Sequence, residues 1–178
     1  MKASGLRSPY DTVGGLFYFG RMLDKIRLQA KGELPPDYNA NLGKGFDKNC
    51  VNFLRVTYDL VVQYVNDGLS DEAILQSCFG MGHRPSKDEI HMWNEFMRKR
   101  GWNDELSETL EGEKKKEAML SRSEIKTMFQ FIDADEGRLV NGNHLNGRNG
   151  SRLVVHHVPF RFEQPGGSPS ERPPVEHV

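Results

Sequence analysis

Cysteine is nearly absent. Cys50 and Cys78 are the only two, with no CxxC pair and no spacing that suits a metal. That excludes a disulfide scaffold, and with the lack of a signal-peptide pattern it sets the expectation of a reducing, cytoplasmic compartment. Each thiol stands in an apolar helical context and reads as a small buried hydrophobe. No activating neighbour marks either as a nucleophile. No apolar run approaches the ~20 residues a membrane span needs, so no membrane association is expected. Charge of one sign is not in excess either. The 178 residues carry 24 basic and 25 acidic side chains, a net charge of −1. A dedicated nucleic-acid binder carries a basic surplus or patch, so no nucleic-acid partner is expected. GxGxxG and GxxxxGK[ST] are both missing, and no cofactor is implied.

The longest stretch with a helical period is TVGGLFYFGRMLDKIRLQAK, residues 12–31. At ~100° per residue, Leu16, Phe19, Met22, Leu23, Ile26 and Ala30 share one broad apolar face. Phe17 and Leu28 form a narrower second stripe. Tyr18, Lys25 and Gln29 fall on the side expected to be wet. Gly20, Asp24, Arg27 and Lys31 lie between the stripes, in a charged groove if both are covered. Asp24 and Arg27 are three residues apart and able to pair. A structural ion pair is the favoured account, since buried charges are rarely unpaired. A ligand site in the groove is the alternative. Asp11 or Thr12 is the expected cap. Gly14 and Gly15 cost a helix about 1 kcal/mol each relative to Ala, which points to close packing against them.

Residues 33–47 lack a period and read as a long loop, with Gly43-Lys44-Gly45 a common loop pattern rather than a phosphate cradle. Short helices are expected behind Asp47, Thr57 and Ser70, with Gly68 and Gly80 to Gly82 as stops. Ser86 and Glu89 form a capping-box pattern that opens a helix to Arg100, closed by Gly101. Ile90, Met92, Trp93, Phe96 and Met97 form its inward side, and Trp102 is expected to fold back into the core. Asn103 is the expected cap of an outer helix over about 104–119. Ser121 and Glu124 repeat the box and open a last helix containing Ile125, Met128, Phe129, Phe131 and Ile132.

That helix ends on Asp133, Asp135 and Glu136, although acids at a helix C-terminus are unfavourable. A compensating cation is expected: Arg138, or Arg27 or Lys31 from the first helix. The spacing of Asp133 and Asp135 departs from a calcium loop, because Gly137 falls one residue early and no closing Glu follows. No metal site is therefore expected. His83 and His91 have no ligand-spaced companion. Residues 139–178 hold five of the nine prolines, five glycines, four asparagines and no lysine. They are expected to form a mostly disordered tail, with strand propensity at 152–163. His156 and His157 are adjacent and do not chelate together if extended.

The stretches SPYDTVGGLFYFGRMLDKIRL (8–28), DYNANLGKGFD (37–47), RPSKDEIHMWNEFMRKRGW (84–102) and FIDADEGR (131–138) resemble a bacterial domain-of-unknown-function family, number five thousand and sixty-nine. The resemblance covers roughly 6–138. It implies a small, largely helical protein and brings no activity, cofactor, partner or site residue with it.

The expectation is thus an all-α bundle of six to seven helices around a central helix at 12–31, forming a domain over 6–138. No nucleophile and base, metal cluster or phosphate loop assembles from the sequence, which favours a non-catalytic binding or regulatory module with a protein or small-molecule ligand. The alternative is a small-molecule enzyme using the groove. Tyr10, Asp24, Arg27, Lys31, Asp133 and Asp135 are the candidate groove residues. Arg27 would hold an anion and a carboxylate would act as base.

Overall fold

Two glycines decide how the first third of the chain folds. In the computed structural model, which describes residues 5–138, Gly14 and Gly15 both have positive φ, at 57° and 84°. That is the signature of a two-residue hairpin turn. It joins β1 (Thr12–Val13) to β2 (Leu16–Phe17), with Val13 opposite Leu16 and Thr12 opposite Phe17. The expected helix at 12–31 is corrected accordingly. Its first six residues are a hairpin, and α1 runs over Phe19–Ala30. Neither Asp11 nor Thr12 caps it; Tyr18 holds the N-cap position without a side-chain bond. Close packing at the glycines is real, since a Cβ on Gly14 would lie 2.3 Å from Leu75 Cδ2. Asn94 clamps the hairpin by accepting from Phe17 N at 2.9 Å and donating to Gly15 O at 2.8 Å.

Eight helices occur among the described residues. After α1 come α2 (Pro36–Asn39), α3 (Phe46–Leu54), α4 (Tyr58–Asn66) and α5 (Asp71–Met81). They are followed by α6 (Lys87–Lys99), α7 (Ser107–Lys116) and α8 (Met128–Asp135). The described residues are mostly helical and almost without strand. Thr57 and Ser70 cap α4 and α5 by accepting from Leu60 N and Ala73 N, both at 3.2 Å. Ser86 and Glu89 complete the capping box of α6. α1 packs on α3 and α4, while α6 covers the hairpin and meets α8. Phe19, Met22, Leu23 and Ile26 are buried as the helical period requires, Leu16 is buried from β2, and Phe17 and Leu28 are half-buried. A smaller apolar cluster of Leu110, Ile125, Phe131 and Ala134 ties α7 to α8.

Several expectations fail for physical reasons. Asp47 does not cap α3. It lies within the first turn, and Gly45, with φ 51°, takes the N-cap place. α7 starts at Ser107 because the Asp104 carboxylate already accepts from Gly101 N at 3.0 Å and Leu106 N at 2.9 Å, fixing a loop there. Glu124 bonds Arg122 at 2.7 Å instead of closing a box on Ser121. The working box is Thr127 with Gln130, so Ile125 is buried from a loop. Met92, Phe96 and Trp102 are 61%, 49% and 55% exposed, not core. Tyr18 and Lys25, placed on the wet side by periodicity, are buried, and Ala30 is exposed. The expected tail at 139–178, with its strand-prone stretch and His156 and His157, lies outside the described residues.

Candidate functional site

The six groove residues fall in different places. Asp24 and Arg27 do meet, in a half-exposed square of charges. Arg7 donates to both oxygens of Asp24 at 2.8 Å and pairs with Asp71 at 2.6 Å. Arg27 pairs with Asp71 at 2.6 Å and lies 3.8 Å from Asp24. The square joins the N-terminal segment, α1 and the first turn of α5. Burial opposes ionisation of Asp71, but the bonds from Arg27 and Arg7 outweigh it and hold its carboxyl below the usual range. Asp133 is buried at the end of α8, accepting from Ser8 Oγ at 2.8 Å and from Arg138 at 2.6 Å. Tyr10 packs edge-on against Phe17 and Phe129, and its hydroxyl bonds the Thr127 side chain. Lys31 is exposed just beyond α1. Asp135 alone of the six lines the large cleft.

That cleft, of about 750 Å³, lies between α1, the segment holding α2 and the start of α3, the end of α7, and α8. Its wall from α1 is Tyr18, Arg21 and Lys25, at the 3-and-4 spacing that puts them on one helix stripe. Each is spoken for by a residue distant in sequence. Lys25 Nζ lies 2.6 Å from Asp47 Oδ1 and 3.1 Å from the Tyr18 hydroxyl, which donates to the same Asp47 oxygen at 3.0 Å. The other Asp47 oxygen accepts from Gly43 N at 3.0 Å. Lys25 is 3% exposed and Asp47 0%. Gly43-Lys44-Gly45 thus cradles this carboxylate through one backbone N–H.

Beside that set, Arg21 forms a two-pronged pair with Glu136 and also donates to Arg7 O at 2.8 Å. Tyr38 donates to Glu136 at 2.8 Å, and Arg138 pairs with it as well. The compensating cations for the acidic end of α8 are therefore Arg138 and Arg21, from the buried side of α1. Burial alone would raise the Glu136 carboxyl, but Arg21, Tyr38 and Arg138 leave it below its ordinary value. Burial and the bond to Glu136 push Tyr38 up to about 12. Burial, then the Asp47 charge, pushes Tyr18 well up. Lys25 is lowered, because burial outweighs its attraction to Asp47. Phe46 and Phe131 supply apolar surface, and Asp37, Lys44, Glu113 and Lys116 line the cleft with charge of both signs.

A family model matches residues 3–138 and carries the description Domain of unknown function (DUF5069). The chain belongs to this family. No curated protein matches the sequence. The match spans every element of the DUF5069 domain described above, so both walls of the cleft lie within it. Among the described residues, no three His, Cys, Asp or Glu side chains cluster to hold a metal ion, and no helix is long and apolar enough to cross a membrane. Sequence reasoning on the DUF5069 domain missed Tyr18, Arg21, Lys25, Tyr38, Asp47 and Glu136. The available signal was the polar stripe Tyr18, Arg21 and Lys25 on an otherwise apolar helix.

Proposed function

We propose that this DUF5069 protein is a cytoplasmic, non-catalytic binding module that seats a small polar molecule in the cleft beside α1. One observation carries the reading. Two buried ionic sets, Lys25 with Asp47 and Tyr18, and Arg21 with Glu136 and Tyr38, stand side by side on one wall of an open cleft. Buried ion pairs seldom stabilise a fold more than apolar residues of the same volume, so stability does not account for two of them. A ligand that uses their charges does. About 750 Å³ suits a metabolite-sized molecule, and aromatic walls with a few convergent polar groups are the usual make-up of such sites. Both cysteines are free and buried, which supports a reducing compartment.

The test is a thermal-shift panel of amino acids, carboxylates, sugar phosphates and nucleotides. A ligand at ~100 times its Kd adds about 2.7 kcal/mol to the folded state, a shift of several degrees. The shift is expected to survive Arg27→Ala, which alters only the outer square, and to shrink in Tyr38→Phe and Lys25→Met. Survival in both cleft variants with loss in Arg27→Ala would move the site to the outer square. An enzyme acting on a small molecule is the second reading, favoured by the lowered amine of Lys25. Recovery of the bound ligand with its mass unchanged after long incubation would dismiss it.

A further inference from the structure

We infer that the Lys25 amine is a nucleophile, capturing an aldehyde or ketone in the cleft as a Schiff base while Asp47 shuttles the protons. The inference rests on the cleft being the ligand site and narrows the ligand to carbonyl compounds. Three independent features support it. First, Lys25 is part of the cleft lining and its side chain is almost wholly buried, held away from bulk solvent.

Second, Tyr18 is held at φ 71° and ψ −25°, a left-handed conformation in which a bulky residue is a genuine outlier. Such strain costs about 1–3 kcal/mol and gathers at functional sites. Here it accompanies a hydroxyl that sits against both Lys25 and Asp47. Third, Asp47 is wholly buried with one oxygen fixed by Gly43 N, which leaves the other oxygen directed at the amine. The groups facing Lys25 are Tyr18, Asp47, Arg21 and Cys50. Burial and the Arg21 charge lower the Lys25 amine, and the Asp47 charge opposes them without reversing the shift, so the ammonium gives up its proton more readily than an ordinary lysine.

The step balances without a co-reactant. The Lys25 ammonium gives a proton to Asp47 across 2.6 Å. The amine lone pair attacks the carbonyl carbon, the C–N bond forms, and the carbonyl π pair moves onto oxygen. That oxygen takes the proton released by nitrogen, giving a carbinolamine. Asp47 returns its proton to the hydroxyl, which leaves as water while the nitrogen lone pair closes the C=N bond. The products are a protonated imine, a carboxylate and water. Tyr18, accepting from Nζ and donating to Asp47, positions the amine during these transfers.

The experiment treats the full-length protein with glyoxylate or glycolaldehyde and sodium cyanoborohydride at pH 7, then maps the reduced adducts by peptide mass spectrometry. Lys31 and Lys48, both exposed, are internal controls. Labelling of Lys25 is expected to outpace theirs, since a lowered amine presents more of its nucleophilic form. Tyr18→Phe is expected to slow labelling at Lys25 and leave Lys31 unchanged. Labelling of Lys25 no faster than of Lys31 overturns the inference. If a panel ligand still raises the melting temperature through the cleft, the nucleophile falls and the binding site stands. If no panel ligand does, both fall.

Discussion

Asp47 and Lys25 carry a desolvation cost that their mutual contact and the bonds from Tyr18 and Gly43 N offset. Both are buried, 2.6 Å apart, and the Tyr18 hydroxyl accepts from the amine as well. Removing one partner of such a pair leaves a charge without compensation, a loss of about 3–5 kcal/mol. Asp47→Asn keeps an acceptor for Gly43 N and is expected to fall in that range by urea unfolding. The double variant Lys25→Met with Asp47→Asn is expected to regain most of the loss, because no ion is then buried. A loss below about 0.5 kcal/mol in the single variant would show that no charge resides there. Tyr18→Phe removes one hydroxyl bonded to charged groups and is expected to cost about 1.5–3 kcal/mol. None of this was legible from sequence spacing. Asp47 lies 22 residues from Lys25 and 29 from Tyr18, and Glu136 lies 115 from Arg21. Periodicity identifies which face of a helix is polar. It does not identify a polar face that a distant partner has buried.

Helices were readable where a local cap fixes their start. Thr57, Ser70 and Ser86 each accept from the backbone N–H three residues on, and α4, α5 and α6 begin there. Where two local patterns compete, the winner depends on contacts elsewhere. Ser121 with Glu124 and Thr127 with Gln130 both have the box form, but Arg122 occupies Glu124 and only the second box closes. The hairpin was hidden because each strand is two residues long, too short to show alternation, and Leu16 happens to fit the helical period of α1. Its glycines were the clue, and they set a testable contrast. Gly14→Ala puts a Cβ at positive φ and 2.3 Å from Leu75, so it is expected to destabilise by more than ~1 kcal/mol. Gly112→Ala, exposed in α7 with nothing within 4 Å of the new Cβ, is expected to stabilise by about 0.5–1 kcal/mol. Opposite signs in thermal melts confirm the hairpin; equal signs contradict it.

The two ends of the described chain are held together by ions. Arg138 pairs with Asp133 and Glu136 and donates to Leu6 O at 3.3 Å, while Ser8 bonds Asp133 and Arg21 bridges Glu136 to Arg7 O. The arrangement makes global stability depend on acid. Glu136 has a folded pKa below its ordinary value of 4.5, so the folded state binds its proton less readily than the unfolded state. Its contribution is therefore complete above about pH 4.5 and is lost as pH falls through the lowered folded value. Asp71 behaves in the same direction, but its half-exposed pairs with Arg7 and Arg27 are screened by salt and weigh less. Glu136→Gln is accordingly expected to be less stable than the parent at pH 7, with the gap closing as pH is lowered toward 3. Urea midpoints at pH 7, 5, 4 and 3, each at low and high salt, measure this. A gap that stays constant across that range would mean the carboxylate is not ionised in the fold. The closure of the two ends would then rest on the hydrogen bonds of Ser8 to Asp133 and of Arg138 to Leu6 O.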